Sequence, residues 1–239
     1  MQLYHSQKQL KVLGVLIDQH LTFDDHISKV AGSCRYHIRA LRHIRRLIDR
    51  ETANTLACSI VATRMDYCNS VLSGITAKNI TRLQRVQNSL AQVVCCAPYR
   101  SPSRPMLKSL HWLPVEYRIQ QKIATLTFKV RFHHLPNYLH QLITTYTPSR
   151  LLRSSDSGLL AVPRTSTTTA ARAFRVTAPR IWNSLPETIH SAHLYLNLPD
   201  ISSLTCSQSP SADYVTHPGA SDSPPSRRLM APLYKSLID

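Results

Sequence analysis

The sequence predicts a mostly α protein: a small helical bundle with a short N-terminal strand, an irregular C-terminal segment and a disordered tail. Three observations predict it. Apolar residues recur at helical spacing along three stretches between residues 24 and 97. Prolines from Pro98 onward cut the following chain into shorter pieces. Periodicity then stops near Tyr195, where serine and proline take over.

Residues 1–23 form the first segment. Lys11-Val12-Leu13-Gly14-Val15-Leu16-Ile17-Asp18 is a short apolar run rich in β-branched residues, and it reads as one strand with no partner before it. A single strand is not a stable unit. The bundle, residues 24–97, follows. Asp24 or Asp25 is placed to cap a helix carrying Ile27, Val30, Cys34, Ile38, Leu41 and Ile48 on one side. Arg45 falls on that apolar side and reads as snorkelling out at an edge. Residues 52–72 repeat the period through Ala53, Leu56, Ile60, Val61, Met65, Cys68 and Leu72, with Gly74 as the stop. A third helix runs from Lys78 to Ala97 through Ile80, Leu83, Val86, Leu90, Val93 and Val94.

Residues 98–147 read as a helical extension. Pro98, Pro102 and Pro105 break the chain, and residues 106–112 leave room for a turn or two. A helix over 116–132 carries Ile119, Ile123, Leu126 and Val130, and residues 137–143 give a short one. Residues 148–193 read as irregular packed structure. Leu159-Leu160-Ala161-Val162-Pro163 is a strand candidate, residues 170–178 a brief helix ended by Pro179, and Ile181, Trp182 and Leu185 an apolar cluster. Residues 194–239 form the tail. Eight serines and four prolines within 200–226, with few large apolar groups, cannot offset the entropy of ordering.

Charge bounds the function. The formal net charge is +16, with 29 Lys+Arg against 13 Asp+Glu. Residues 1–100 carry 14 basic and 6 acidic side chains and residues 101–199 carry 12 and 3, whereas residues 200–239 carry 3 and 4. A polyanion is the partner this distribution suits. The five glycines, at 14, 32, 74, 158 and 219, are too dispersed for a dinucleotide fold or a P-loop, which need several in one turn. No apolar run is long enough to cross a bilayer, and residues 1–11 lack the apolar stretch of a secretory signal, so no membrane partner and an intracellular location, cytoplasmic or nuclear, are expected. The six cysteines then read as thiols.

Chemistry is sparse. Phe23-Asp24-Asp25 looks like the aspartate pair of a nucleotide polymerase, where carboxylates clamp two Mg²⁺ ions. That chemistry needs a tight strand turn and a further carboxylate, and here the pair begins a helix, where Asp serves as a cap. Cys34 with His37 and the Cys95-Cys96 pair do not reach the four ligands of a zinc site, and burial is the plainer reading. A Cys–His nucleophile would lack its orienting group. No metal site, no cofactor and no small-molecule substrate are expected. Trp112 and Trp182 sit beside prolines among Leu and Ile and read as turn anchors, with base stacking as the alternative. Asp66-Tyr67-Cys68-Asn69 places polar groups in the second helix, to hydrogen-bond a neighbour or to touch a primer strand.

The arginines carry more. Arg35, Arg39, Arg42 and Arg46 recur at intervals of 4, 3 and 4, which is one side of a helix, and Arg82 and Arg85 lie on the third helix. Lys108, Arg118, Lys122, Lys129 and Arg131 continue the excess. Guanidinium groups bind phosphate oxygens bidentately and keep their charge. An ordinary solvated face is the bland alternative, and the scarcity of acidic neighbours weakens it for the set. The candidate binding residues are therefore Arg35, Arg39, Arg42, Arg46, Arg82, Arg85, Lys122 and Lys129. Six to eight such contacts would lower affinity roughly 10³–10⁴-fold between 50 and 200 mM salt.

Several phrases occur in a telling order. Val12-Leu13-Gly14-Val15-Leu16-Ile17-Asp18, Leu21-Thr22-Phe23-Asp24-Asp25-His26-Ile27, Arg64-Met65-Asp66-Tyr67-Cys68-Asn69-Ser70 and Leu83-Gln84-Arg85-Val86-Gln87-Asn88 come first. Leu110-His111-Trp112-Leu113-Pro114-Val115, Arg118-Ile119, Leu151-Leu152-Arg153-Ser154-Ser155, Arg172-Ala173-Phe174 and Ala178-Pro179-Arg180-Ile181-Trp182-Asn183-Ser184-Leu185-Pro186 follow. Together they resemble the C-terminal part of the reverse transcriptase of non-LTR (LINE-type, jockey-like) retrotransposons, over roughly residues 11–192. The resemblance implies that the Gly14 segment corresponds to the primer grip, and residues 24–97 to a thumb-like three-helix bundle. It also implies that the catalytic aspartate motif lies upstream of Gly14. Two departures stand out: Ala170 replaces a family glycine, and the chain leaves the family pattern after His193.

The expectation is a truncated, retrotransposon-derived RNA-directed DNA polymerase fragment without the polymerase centre, binding RNA or DNA backbone non-specifically and not an enzyme on its own. Mg²⁺ would matter only to a full-length enzyme. The alternatives are a structural or protein-interaction fragment, or a decayed reading frame without a selected role.

Overall fold

The computed structural model describes residues 9–98, 100–148 and 158–186. These residues are mostly α-helical, with one two-stranded antiparallel sheet. The chain divides into two compact units, residues 1–119 and 120–239. The tail expected at 194–239 lies outside the described residues, as do residues 149–157.

The first unit begins with a correction. The apolar run expected as one unpaired strand is a hairpin of β1 (Gln9–Val12) and β2 (Val15–Asp18), with Leu10 opposite Ile17 and Val12 opposite Val15. Leu13 at φ 45° and Gly14 at φ 84° form its two-residue turn. Two successive left-handed residues give the primed turn whose twist suits a hairpin. The Tyr67 hydroxyl braces it, donating to the Leu13 carbonyl at 2.8 Å.

Helix α1 (Asp24–Ile44) buries Ile27, Ala31, Cys34, Ile38 and Leu41 along one side. Its cap also differs from expectation. Phe23 is the N-cap, with no side-chain cap bond, while Asp24 and Asp25 lie in the first turn. There they still favour the positive end of the helix dipole. The carboxylate that takes up the free N–H groups is that of Asp18, which accepts from Thr22 N–H at 2.8 Å, Phe23 N–H at 2.7 Å and the Thr22 hydroxyl at 2.9 Å.

The second predicted helix is not continuous. Asp49 caps α2 (Arg50–Leu56), a π-helical stretch Ala57–Ala62 follows, and α3 (Thr63–Asp66) ends where Tyr67 turns extended and Cys68 adopts φ 53°. The π stretch buries Ala57, Cys58, Val61 and Ala62. Helix α4 (Ala77–Val94) buries Leu83, Val86, Leu90, Val93 and Val94. Each such aliphatic side chain, fully buried, contributes about 1.5–3 kcal/mol. The helix stops three residues before the expected Ala97. Cys96 takes φ 50°, and the Cys96 and Ala97 N–H groups turn back to the Val93 and Gln92 carbonyls. That is a Schellman ending with cysteine where glycine is usual. Helix α5 (Ser103–Ser109) ends the same way around His111 at φ 55°, which delivers Trp112 into the core. Pro105 lies in the first turn of α5, where its missing N–H costs nothing.

Helices α1 and α4 run parallel. Asn79 Nδ2 donates to Asp24 Oδ1 at 2.6 Å at one end, and Arg45 donates twice to the Val94 carbonyl, at 2.8 and 3.1 Å, at the other. Arg45 therefore turns inward to close the C-terminus of α4 instead of snorkelling outward. Buried Gln87 donates to the Leu113 carbonyl and Gln84 accepts from Val115 N–H, which fixes the start of α6 (Val115–His133) on α4.

In the second unit, Phe128, Leu160 and Trp182 form a core that Phe132, Ile143 and Leu185 cover. Helix α7 (Asn137–His140) is a single turn. The strand expected at 159–163 is reduced to one bridge, Thr145 opposite Leu160. The Asn183 amide stands in for a second partner strand, accepting from Leu160 N–H and donating to Leu160 C=O, both at 2.9 Å. Ala170 begins a short 3₁₀ turn, and α8 (Phe174–Asn183) then passes through Pro179. The expected stop at Pro179 fails because proline removes one helical hydrogen bond while burial of Val176, Ala178 and Trp182 holds both halves.

Candidate nucleic-acid interface

The first unit sorts its charged side chains into two groups. One group is consumed by the fold. Arg118, 7 % exposed, pairs bidentately with Asp66, with Nε donating to Oδ1 at 2.9 Å and Nη2 reaching Oδ2. Asn69 Nδ2 donates to the same carboxylate at 3.3 Å. Of the two readings of Asp66-Tyr67-Cys68-Asn69, these contacts favour the internal one: Asp66 binds Arg118 of α6, Asn69 supports Asp66, and Tyr67 binds the hairpin. The cavity beside Asp66 and Arg118 is about 10 Å³, far too small for a substrate. Arg45 closes α4, as above.

The second unit consumes Arg131. Its guanidinium donates to the Gly158 carbonyl and lies 5.4 and 5.3 Å from the Phe132 and Trp182 ring centres. Gly158 has φ +64°, and a Cβ there would come within 3.1 Å of the guanidinium.

The carboxylates near the hairpin do not converge. Asp18 is held by Thr22 and Phe23, Asp24 by Asn79, and Asp25 accepts from Gln9. Burial alone would raise the Asp18 pKa, but the hydrogen bonds from the Thr22 and Phe23 N–H groups and the Thr22 hydroxyl bring it down to about 2. No group of three or more His, Cys, Asp or Glu able to hold a metal occurs among the described residues. Cys34 and Cys58 are buried free thiols, and burial raises the Cys34 pKa to about 11. Buried Trp112 and Trp182 present no ring to solvent for base stacking.

The other group faces solvent. Arg35, Arg39 and Arg42 on α1 and Arg46 on the following 3₁₀ turn are all exposed. At 3.6 residues per turn they fall within an arc of about 60° and span about 16 Å. Among the described residues none of the four makes a side-chain hydrogen bond or an ion pair. Ser28, on the same line of α1, accepts from Arg82 of α4 at 2.6 Å, so α4 borders the row and brings Arg82 to its edge. Arg85, one turn further along α4, is exposed. Six of the eight candidate residues thus belong to α1, the turn that follows it, and α4. Lys122 and Lys129 belong to the second unit, where both are exposed, two turns apart on one side of α6.

Spacing could not show that Arg45, Arg118 and Arg131 are spent on carbonyls and a carboxylate far along the chain. It also missed Tyr36, which is 66 % exposed on α1 beside the row.

The α1–α4 pair and the turn after α1 thus hold a row of cations at their solvent-facing side. Among known proteins, the chain is similar to the probable RNA-directed DNA polymerase from transposon BS of Drosophila melanogaster, with 28 % identity over 136 residues, 53 % of this chain and 14 % of that protein. The chain thus spans about one seventh of the curated relative it matches. The likeness supports a reverse-transcriptase-like origin. No protein-family model and no solved structure matches the chain. Among the described residues no helix is long and apolar enough to cross a membrane.

Proposed function

We propose that this chain is the helical part of a non-LTR retrotransposon reverse transcriptase that follows the polymerase centre, and that it binds RNA or DNA through phosphates without performing nucleotidyl transfer. The observation that carries this reading is the α1 row. Arg35, Arg39, Arg42 and Arg46 stay exposed, while Arg45, Arg118 and Arg131 are absorbed by the fold. Arg82 and Arg85 extend the row across the seam, and Lys122 and Lys129 add positive charge in the second unit.

Phosphate contacts fix register and carry no sequence information, so binding is non-specific. It needs no cofactor; Mg²⁺ belongs to the chemistry of a full-length enzyme. The location is intracellular. A filter-binding titration of the full chain tests the reading. A complex at about 50 mM salt that weakens at least about 100-fold by 200 mM supports it, and no complex at 50 mM rejects it. Mg²⁺-dependent primer extension by the pure chain would reject the non-catalytic part.

A second reading, a protein-interaction fragment, is favoured by the hairpin. Every residue of β1 is exposed, with Leu10 at 58 % and Val12 at 41 %, and edge strands template pairing. Binding to a protein partner with no affinity for nucleic acid would select it.

A further inference from the structure

Resting on the reading of the α1 row as a phosphate grip, we propose that the surface is built for single-stranded nucleic acid, with Tyr36 as a platform for an unstacked base beside the row. Tyr36 is 66 % exposed, and its ring meets that of His37 edge-on, with centroids 5.2 Å apart. That contact fixes the ring on the helix while leaving it open to solvent. At about 100° per residue, Tyr36 lies about 60° around α1 from Arg39, on the flank where His43 is also exposed. The other flank of the row is closed by α4. Around the helix the order is therefore α4, arginines, aromatic ring.

A duplex uses only the arginines of this arrangement. Helix α1 is bordered by α4 along its length, through Asp24, Ser28 and Arg45, and the π stretch packs against it where Cys34 meets the Val61 carbonyl. A lone helix with its side chains is about 10–12 Å across and already fills a major groove about 12 Å wide, so a helix flanked in this way lies across the duplex instead of entering it. The A-form groove is narrower still. A duplex lying across the row offers phosphates to the arginines and no base face to Tyr36. A single strand offers both, with its backbone along the row and a splayed base on the ring. This is the combination of a basic track and a stacking aromatic that single-strand binders use.

Fluorescence anisotropy with the full chain tests this, using a short labelled RNA and the same sequence annealed to its complement, at about 50 mM salt. The single strand is expected to bind more tightly than the duplex. Tyr36→Ala should weaken single-strand binding about 5- to 100-fold and leave duplex binding within about twofold, whereas Tyr36→Phe keeps the ring and the affinity. Tyr36 is exposed, so neither variant threatens the fold. Equal or tighter duplex binding, or a Tyr36→Ala variant indistinguishable from the parent, overturns the single-strand assignment. Loss of both complexes in Arg39→Gln/Arg42→Gln would then leave the phosphate grip standing alone. If the unaltered chain binds neither nucleic acid, the grip and the platform fall together.

Discussion

Breaking the Asp66–Arg118 pair one residue at a time should cost more than removing both residues together. Arg118 is 7 % exposed and Asp66 20 %, so the guanidinium is the more deeply desolvated partner. Asp66→Asn leaves that guanidinium opposite a neutral amide. Stranding a buried charge costs about 3–5 kcal/mol. Arg118→Met keeps most of the buried stem and strands the carboxylate, which retains Asn69 and some solvent. The cost there is about 2–3 kcal/mol after allowing for exposure. The double variant strands nothing and loses hydrogen bonds worth about 1–2 kcal/mol. The expected coupling is therefore roughly 3 kcal/mol or more, at or above the top of the range for residues in direct contact. Urea unfolding of the parent, both single variants and the double variant, followed by far-ultraviolet circular dichroism, gives the four free energies. Costs that add to within about 0.5 kcal/mol would refute the reasoning, because independent sites behave that way.

Two pH dependences follow from the start of α1. The folded pKa of Asp18, about 2, is below its ordinary 3.8, so its contribution is complete above pH 3.8 and is lost as pH falls from there toward 2. After discounting for partial exposure that contribution is about 1–2 kcal/mol. Asp18→Ala should lower the urea midpoint at neutral pH and flatten its fall below pH 4, and an unchanged midpoint would contradict the assignment. His26 is buried, and burial lowers its pKa below 6.5. Its Nδ1 faces Leu16 N–H at 3.4 Å, as an acceptor that protonation removes. The neutral ring therefore stabilises the fold above about pH 6.5, and that stability is lost on acidification below it. The melting temperature should fall between pH 7.5 and 5.5 in the parent and stay level in His26→Phe; equal falls in both would assign the effect elsewhere.

The long helices were legible because their burial is periodic. Ile27, Cys34, Ile38 and Leu41 are on the buried side of α1, and α6 runs from Val115 to His133 against an expected 116–132. The turns were not legible. Left-handed residues normally announce themselves as glycine or asparagine, and here Leu13, Leu21, Phe23, Cys68, Cys96 and His111 take positive φ instead. The hairpin was hidden for that reason, since Leu13-Gly14 lacks the usual first residue of a primed turn. The break after Asp66 and the passage through Pro179 are decided by tertiary contacts, which local propensity does not contain. The same holds for the site. The spacing of 35, 39, 42 and 46 places four arginines on one side of α1. Which other arginines the fold absorbs depends on partners 52, 49 and 27 residues away for Arg118, Arg45 and Arg131.

The slope of the nucleic-acid binding constant against salt, on logarithmic axes, tests the phosphate grip most directly. Six contacts, from Arg35, Arg39, Arg42, Arg46, Arg82 and Arg85, predict a slope of about −4 to −5. Replacing Arg39 and Arg42 together by glutamine should make it shallower by about 1.4 to 1.8, with no change in unfolding free energy beyond about 0.5 kcal/mol. A slope that the double replacement leaves unaltered, or a parent chain with no salt-dependent complex, would contradict the account.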